Sequence, residues 1–175
     1  MDRNRTYELT RRHLNAGKIE TYERYGIDAV MGRREGIRFW DAYDDRSWIN
    51  CHCNGGVFNL GHRNPAVLAA VQASLDDQDI GNHHLPAPSR AELARRLVAT
   101  TNGVLPGVVF GVSGGEANDL AIKATRAATG RIGIVSATGG FHGHTGLSLA
   151  AGDAEYRTPF GPNPPGFMQV PFNDV

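Results

Sequence analysis

The feature that most constrains this chain is a unit that occurs twice after residue 100: a short apolar run, a glycine turn, then a helical or small-residue stretch. The first is "GVVFGVSGGEANDLAIKATRAATG" and the second is "RIGIVSATGGFHGHTGLSLAAG". Continuous apolar runs of this length suit strands buried on both faces, and strands alternating with helices build a mainly parallel sheet. Upstream, "NPAVLAAVQASLDDQ" places Val67, Leu68, Val71 and Leu75 on one helical face, with Asn64 as N-cap and Pro65 in the first turn. "SRAELARRLVATTNG" predicts another helix, with Ser89 and Glu92 as a capping box and Gly103 beyond its end. From about residue 60 onward the predicted class is α/β with a mainly parallel sheet.

The first 60 residues follow a different rule. Residues 2–16 predict a polar, arginine-rich helix. Residues 27–53 alternate β-formers with turn signals at Arg34-Glu35-Gly36 and Asp44-Asp45-Arg46, which predicts an antiparallel meander of two or three strands. "NGGVFNLGHRNP" is expected to be a loop, and "TPFGPNPPGFMQVPF" an extended, proline-rich segment. Two parts follow: residues 1–60, and an α/β part over 61–175.

Composition excludes several functions. The 18 basic and 18 acidic side chains cancel, so no basic field draws in nucleic acid. No apolar run approaches the roughly 20 residues that a membrane-spanning helix needs. The N-terminal residues lack the apolar core of a signal peptide, so the cytoplasm is the expected compartment. The two cysteines, Cys51 and Cys53, flank His52 in "NCHCNGG". Adjacent residues of an extended strand diverge, so these three do not converge on a metal, and both thiols are expected to be buried and inert.

In open α/β sheets, ligands bind beyond the carboxyl ends of the strands, where both glycine turns lie. The first, Gly111 to Gly115, admits three chemistries. Its G-x-S-x-G spacing fits a hydrolase nucleophile elbow at Ser113. Its position before a helix fits an anion cradle of backbone N–H groups. Lys123, further along the helix, could be an imine-forming amine. The hydrolase reading fails on chain order. The only acids between Ser113 and the next histidines are Glu116 and Asp119, both on the helix that Ser113 opens. Lys123 lies off the stripe of Ala117, Leu120, Ala121, Ala124 and Ala128, which is expected to be the buried face. The anion cradle survives. The second turn offers Phe141 flanked by His142 and His144, and an aromatic platform beside a phosphate cradle suits a phosphorylated planar ring.

"VFNLGHRNPAVLAAV", "FGVSGGEANDLAIKATR", "GGFHGHTGLSLAAG" and "PPGFMQVPFND" stand in an order and spacing that resemble the N-terminal part of class III (subgroup II) aminotransferases, which use pyridoxal 5′-phosphate (PLP). The resemblance covers about residues 30–175. It implies the aspartate aminotransferase-like fold (fold type I): the first part of a large PLP-binding domain over 61–175, and the N-terminal segment of a small domain over 1–60. It implies that Ser113, Gly114 and Gly115 bind the cofactor phosphate. Phe141 would stack on its ring, with His142 beside it. It also implies a homodimer, with the 78–88 loop near the subunit interface, and an amino-acid or amine donor with a 2-oxo acid acceptor.

This chain departs from the family pattern at Gly115, where a larger side chain is usual, and at His144, where arginine is common. The resemblance places the Schiff-base lysine and the aspartate that pairs with the pyridinium nitrogen beyond Val175. The chain is therefore expected to be an N-terminal fragment without transaminase activity of its own, with exposed apolar faces that limit its solubility. An aminomutase, decarboxylase or racemase on the same fold shares these motifs, and a non-catalytic relative that binds a phosphorylated ligand is the reading from another class. Trp40, Phe58 and His83 are substrate-site candidates by position only.

Overall fold

A computed structural model of the chain describes residues 1–78, 80–81 and 84–174. It divides into two compact units, Met1–Asn82 and His83–Val175. His83, a substrate-site candidate in the 78–88 loop, lies outside the described residues.

The first unit opens with helices α1 (Arg3–His13) and α2 (Ala16–Arg24). Each begins where a short polar side chain takes up a free N–H: Asp2 accepts from Arg5 N at 2.8 Å and Asn15 from Lys18 N at 2.9 Å. The expected meander follows as strands β1 (Met31–Glu35), β2 (Arg38–Asp41) and β3 (Ser47–Ile49), paired antiparallel in that order. Phe39 and Trp48 are direct cross-strand partners and their rings stack at 5.2 Å. Residues 51–60 form turns, and helix α3 (Pro65–Leu75) starts at the predicted cap, with Asn64 Oδ1 accepting from Ala66 and Val67. Cys51 is exposed and Cys53 half-buried, contrary to the burial expected of both. A turn, not a strand, carries them, and it turns the Cys51 side chain to solvent.

Asp41 is the hub of this unit. Its side chain is fully buried. It accepts from Val30 N at 2.9 Å and Tyr43 N at 2.8 Å, and from both terminal nitrogens of Arg3 at 3.0 and 2.8 Å. Arg3 also reaches Asp44, and Arg46 bridges Asp28 and Asp44. This bidentate pair fastens α1 to the meander. Burial alone would push the Asp41 carboxyl upward. The two backbone N–H groups and Arg3 outweigh it and hold the carboxyl at about 2.

The second unit contains helix α4 (Pro88–Ala99), helix α5 (Gly114–Thr129), strand β4 (Ile134–Ala137), helices α6 (Gly146–Ala150) and α7 (Ala154–Arg157), and strand β5 (Phe167–Val170). β4 and β5 pair parallel, residue for residue from Ile134 with Phe167 to Ala137 with Val170. The fold is therefore α/β, with a parallel sheet in one unit and an antiparallel sheet in the other.

Three local expectations are corrected. Residues 108–112 form no strand: no neighbour pairs with them among the described residues, and Val112 is 94% exposed. The capping box at Ser89 does not form. Helix α4 begins one residue earlier at Pro88, and Glu92 instead binds Arg95 and Arg96. The alanine stripe of α5 is also exposed apart from half-buried Leu120, because the helix packs through Asn118, Asp119 and Ile122.

Both tryptophans, Trp40 and Trp48, lie on the meander, so their fluorescence reports on the first unit. Asp41 is held well below its unfolded value. Its contribution is therefore complete above about pH 4 and is lost as pH falls toward about 2. Acid titration followed by tryptophan emission should show an unfolding transition in that window. Asp41→Asn should lower stability at neutral pH and flatten the transition. An unchanged acid curve in the variant would disprove this role.

Candidate functional site

The two glycine turns meet. A side chain built on Gly143 would lie 2.5 Å from Gly115 Cα, and one built on Gly115 would lie 3.0 Å from Thr145 Oγ1. Gly143 also has φ +119°, a conformation L side chains rarely adopt. Hydrogen bonds fix the contact. Asn118 Nδ2 on α5 donates to the His142 carbonyl at 2.7 Å, and Asp119 Oδ1 accepts from Ser148 N, inside α6, at 2.6 Å. Ser148 is fully buried against this junction, with its hydroxyl donating to the Thr145 carbonyl at 2.8 Å.

Helix α5 starts as the sequence implies. Ser113 is its N-cap, with Oγ accepting from Glu116 N at 3.2 Å. Glu116 Oε2 reaches back to accept from Val112 N, one residue before the cap. That leaves the N–H groups of Gly114 and Gly115 without an acceptor among the described residues. A side chain on Gly114 would meet nothing within 4 Å, so the space beside it is open. The Ser113 hydroxyl accepts one bond and keeps its proton available to donate. Two free N–H groups and a hydroxyl at the start of a 16-residue helix form an anion-binding arrangement that no side-chain cation needs to complete. Among the described residues, the Ser113 hydroxyl is bonded to Glu116 N and to no histidine.

Phe141 sits at the crest of the other turn, 69% exposed. His144 meets its ring edge-on at 5.2 Å and Tyr156 at 6.5 Å, with His144 and Tyr156 themselves 6.0 Å apart. Tyr156 was not singled out by sequence; it lies twelve residues beyond His144, on α7. The His142 ring folds back onto Gly140, and its Nε2 is buried with no hydrogen-bond partner among the described residues. Asp153, also missed by sequence, accepts from Gly139 N with both oxygens at 3.0 Å and from Gln169 Nε2 at 2.7 Å. The Gln169 hydrogen bond, and then that of Gly139, draw its carboxyl below the ordinary range. Ser113, Gly114, Gly115, Phe141 and His142 thus lie on two turns in direct contact, within one unit. Lys123 is exposed on α5, and Lys18 lies over Tyr22 in the first unit.

Comparison with known proteins gives the family and the fold. The profile of the family described as aminotransferase class-III matches residues 21–175. An uncharacterized aminotransferase of Archaeoglobus fulgidus is 52% identical over 168 residues, which is 96% of this chain and 39% of the relative's length. Among solved structures, the ornithine aminotransferase of Toxoplasma gondii superposes with a TM-score of 0.84 at 16% identity, over 99% of this chain and 41% of that one. The taurine:2-oxoglutarate aminotransferase of Bifidobacterium kashiwanohense, solved with PLP and glutamate, gives 0.74 at 28% identity, over 81% and 32%.

The turn contact yields a stability prediction. Gly143→Ala forces a methyl into backbone at positive φ and should destabilise the second unit by roughly 2–3 kcal/mol. Gly115→Ala meets side-chain atoms of Thr145 and Ser148 rather than backbone and should cost about 1 kcal/mol or less. Urea unfolding followed by far-UV circular dichroism measures both. The reverse ranking would contradict the close approach.

Proposed function

The chain belongs to the class III aminotransferases, and on that footing we propose that it forms the cofactor-anchoring part of a PLP-dependent transaminase. Such an enzyme passes an amino group from an amino acid or amine to a 2-oxo acid. The observation that carries this reading is the contact between the helix-capping turn at Ser113–Gly115 and the turn bearing exposed Phe141.

The residues present fit the cofactor. The free N–H groups of Gly114 and Gly115, with the Ser113 hydroxyl, would hold its phosphate. These donors are neutral, fixed by the helix and unaffected by pH across the physiological range. Phe141 would lie against the ring face, and its exposed surface is the apolar area available to stack. His142 supports the platform from behind: its carbonyl is tied to α5 by Asn118, and its ring rests on Gly140. The bound cofactor supplies an electron sink for charge developing at the substrate carbon. The protein's own task in this segment is orientation, and holding the phosphate and ring at once fixes both position and tilt of a planar ligand.

The chain spans 39% of the length of its curated relative. Neither Ser113 nor Lys123 is assigned a covalent role. We propose that the reacting lysine and the ring-nitrogen carboxylate belong to the remainder of the family fold. Two copies are proposed to associate, as a homodimer. No helix among the described residues is long and apolar enough to cross a membrane.

Full-length protein incubated with PLP, an amine or amino-acid panel and 2-oxoglutarate should form glutamate together with the carbonyl product of the donor. Carbon dioxide release or racemisation without amino transfer would overturn the transaminase reading. Phe141→Ala should weaken PLP binding about tenfold, the equivalent of ~1.4 kcal/mol of ring contact. Binding is read from the near-ultraviolet absorbance of the cofactor.

A further inference from the structure

We propose that Asp153 and Gln169 are positioning residues that set the orientation of the Phe141 ring platform. The proposal rests on the reading of Phe141 given above. Phe141 is mostly exposed, and its aromatic contacts among the described residues are edge-on, to His144 and Tyr156. Packing of the side chain therefore does little to fix it, and its direction follows the backbone of residues 138–143.

That backbone is held at two ends. On the far side, Asn118 grips the His142 carbonyl and Gly143 abuts Gly115. On the near side, both oxygens of Asp153 receive the single N–H of Gly139, two residues before Phe141. The near anchor is fixed from the sheet. Gln169 on β5 donates to Asp153 Oδ1 at 2.7 Å. Gln169 stands opposite Ser136 of β4, whose hydroxyl binds the Ala151 carbonyl at 2.7 Å, and Gln169 Nε2 lies 3.5 Å from that same carbonyl. The carboxylate is thus aimed by a strand and spent on one turn. No ion pair involves Asp153 among the described residues; Arg157 and His142 act on its charge only at longer range, behind the Gln169 and Gly139 hydrogen bonds. A half-buried carboxylate that gives two oxygens to one backbone N–H is an orienting device: it fixes the direction of a peptide plane.

The pairing can be inverted. In Asp153→Asn the new amide nitrogen confronts the Gln169 amide or the Gly139 N–H. In the double variant Asp153→Asn with Gln169→Glu, asparagine can accept from Gly139 while donating to the glutamate. Two probes separate ring from phosphate: pyridoxamine 5′-phosphate and inorganic phosphate, titrated calorimetrically into full-length protein stripped of cofactor. Asp153→Asn should weaken the first about tenfold and leave the second unchanged, and the double variant should return to within about twofold of the native protein. Gln169→Met, which deletes one hydrogen bond at similar volume, should show a smaller loss of the same kind and serves if Asp153→Asn does not fold.

Parallel loss of both probes would mean that the pair merely stabilises the unit. Unchanged affinities, or no recovery in the double variant, would equally overturn the proposal. Native protein that binds inorganic phosphate but gains nothing from the ring would instead remove the platform reading of Phe141, and this inference with it.

Discussion

The second unit depends on one close approach: the Cα of Gly115 against Gly143. The backbones can come this near because Gly143 carries no side chain: a Cβ there would lie 2.5 Å from Gly115 Cα. Once they do, the free N–H groups opening α5 and the crest residue Phe141 belong to one site. Gly115 and Gly143 are 28 residues apart in sequence, yet no side chain bridges them directly at the contact. The surrounding polar groups then follow. Asn118 and Asp119 on α5 turn inward because His142 O and Ser148 N are there to be satisfied. A helix whose alanines mark an apparent inner face packs instead by its polar shoulder.

That explains what was legible in the sequence and what was not. Features set within a few residues came through. Asn64 with Pro65, and Ser113 at the start of α5, are each decided by local backbone chemistry. The meander was legible because alternation and turn residues agree. Features that need a distant partner failed. Residues 108–112 have the composition of a buried strand, but a strand exists only when another pairs with it. β5 was read as extended and became a strand because β4 lies beside it. Ser89 and Glu92 have capping-box spacing, but Pro88 in the first turn and two arginines on the next turn claim the helix start and the carboxylate. Of the candidate site, the sequence marked the five motif residues that the structure brings onto two touching turns. It did not mark Asp153, Gln169 and Tyr156, because nothing local sets them apart; they matter through where α7 and β5 bring them.

The two units use polar groups differently. The first concentrates charge around a buried carboxylate, with Arg3, Arg46, Asp28 and Asp44 arrayed about Asp41. Such a cluster is strong while every member is present and costly if one is lost, since a buried charge is then left unpaired. The second unit spends its polar groups on turn backbone: Asn118, Asp119, Ser148 and Asp153 each satisfy a main-chain group. That choice suits a site whose purpose is geometry, because hydrogen bonds to the backbone fix direction where ion pairs between long side chains do not.

The same distinction bears on how a phosphorylated ring would be held. A cup of helix N–H groups and a hydroxyl carries no titrating side chain, so the pH dependence of anchoring would come from the ligand's own phosphate, whose second ionisation lies near neutrality for phosphate monoesters. A lysine or arginine in that place would bind more strongly but would also attract any anion from any direction. Fixed amides discriminate by angle. With the ring face supplied by an adjoining turn, affinity would depend on both contacts being met by one rigid ligand, and a free phosphate, lacking the ring, would gain only the first of them.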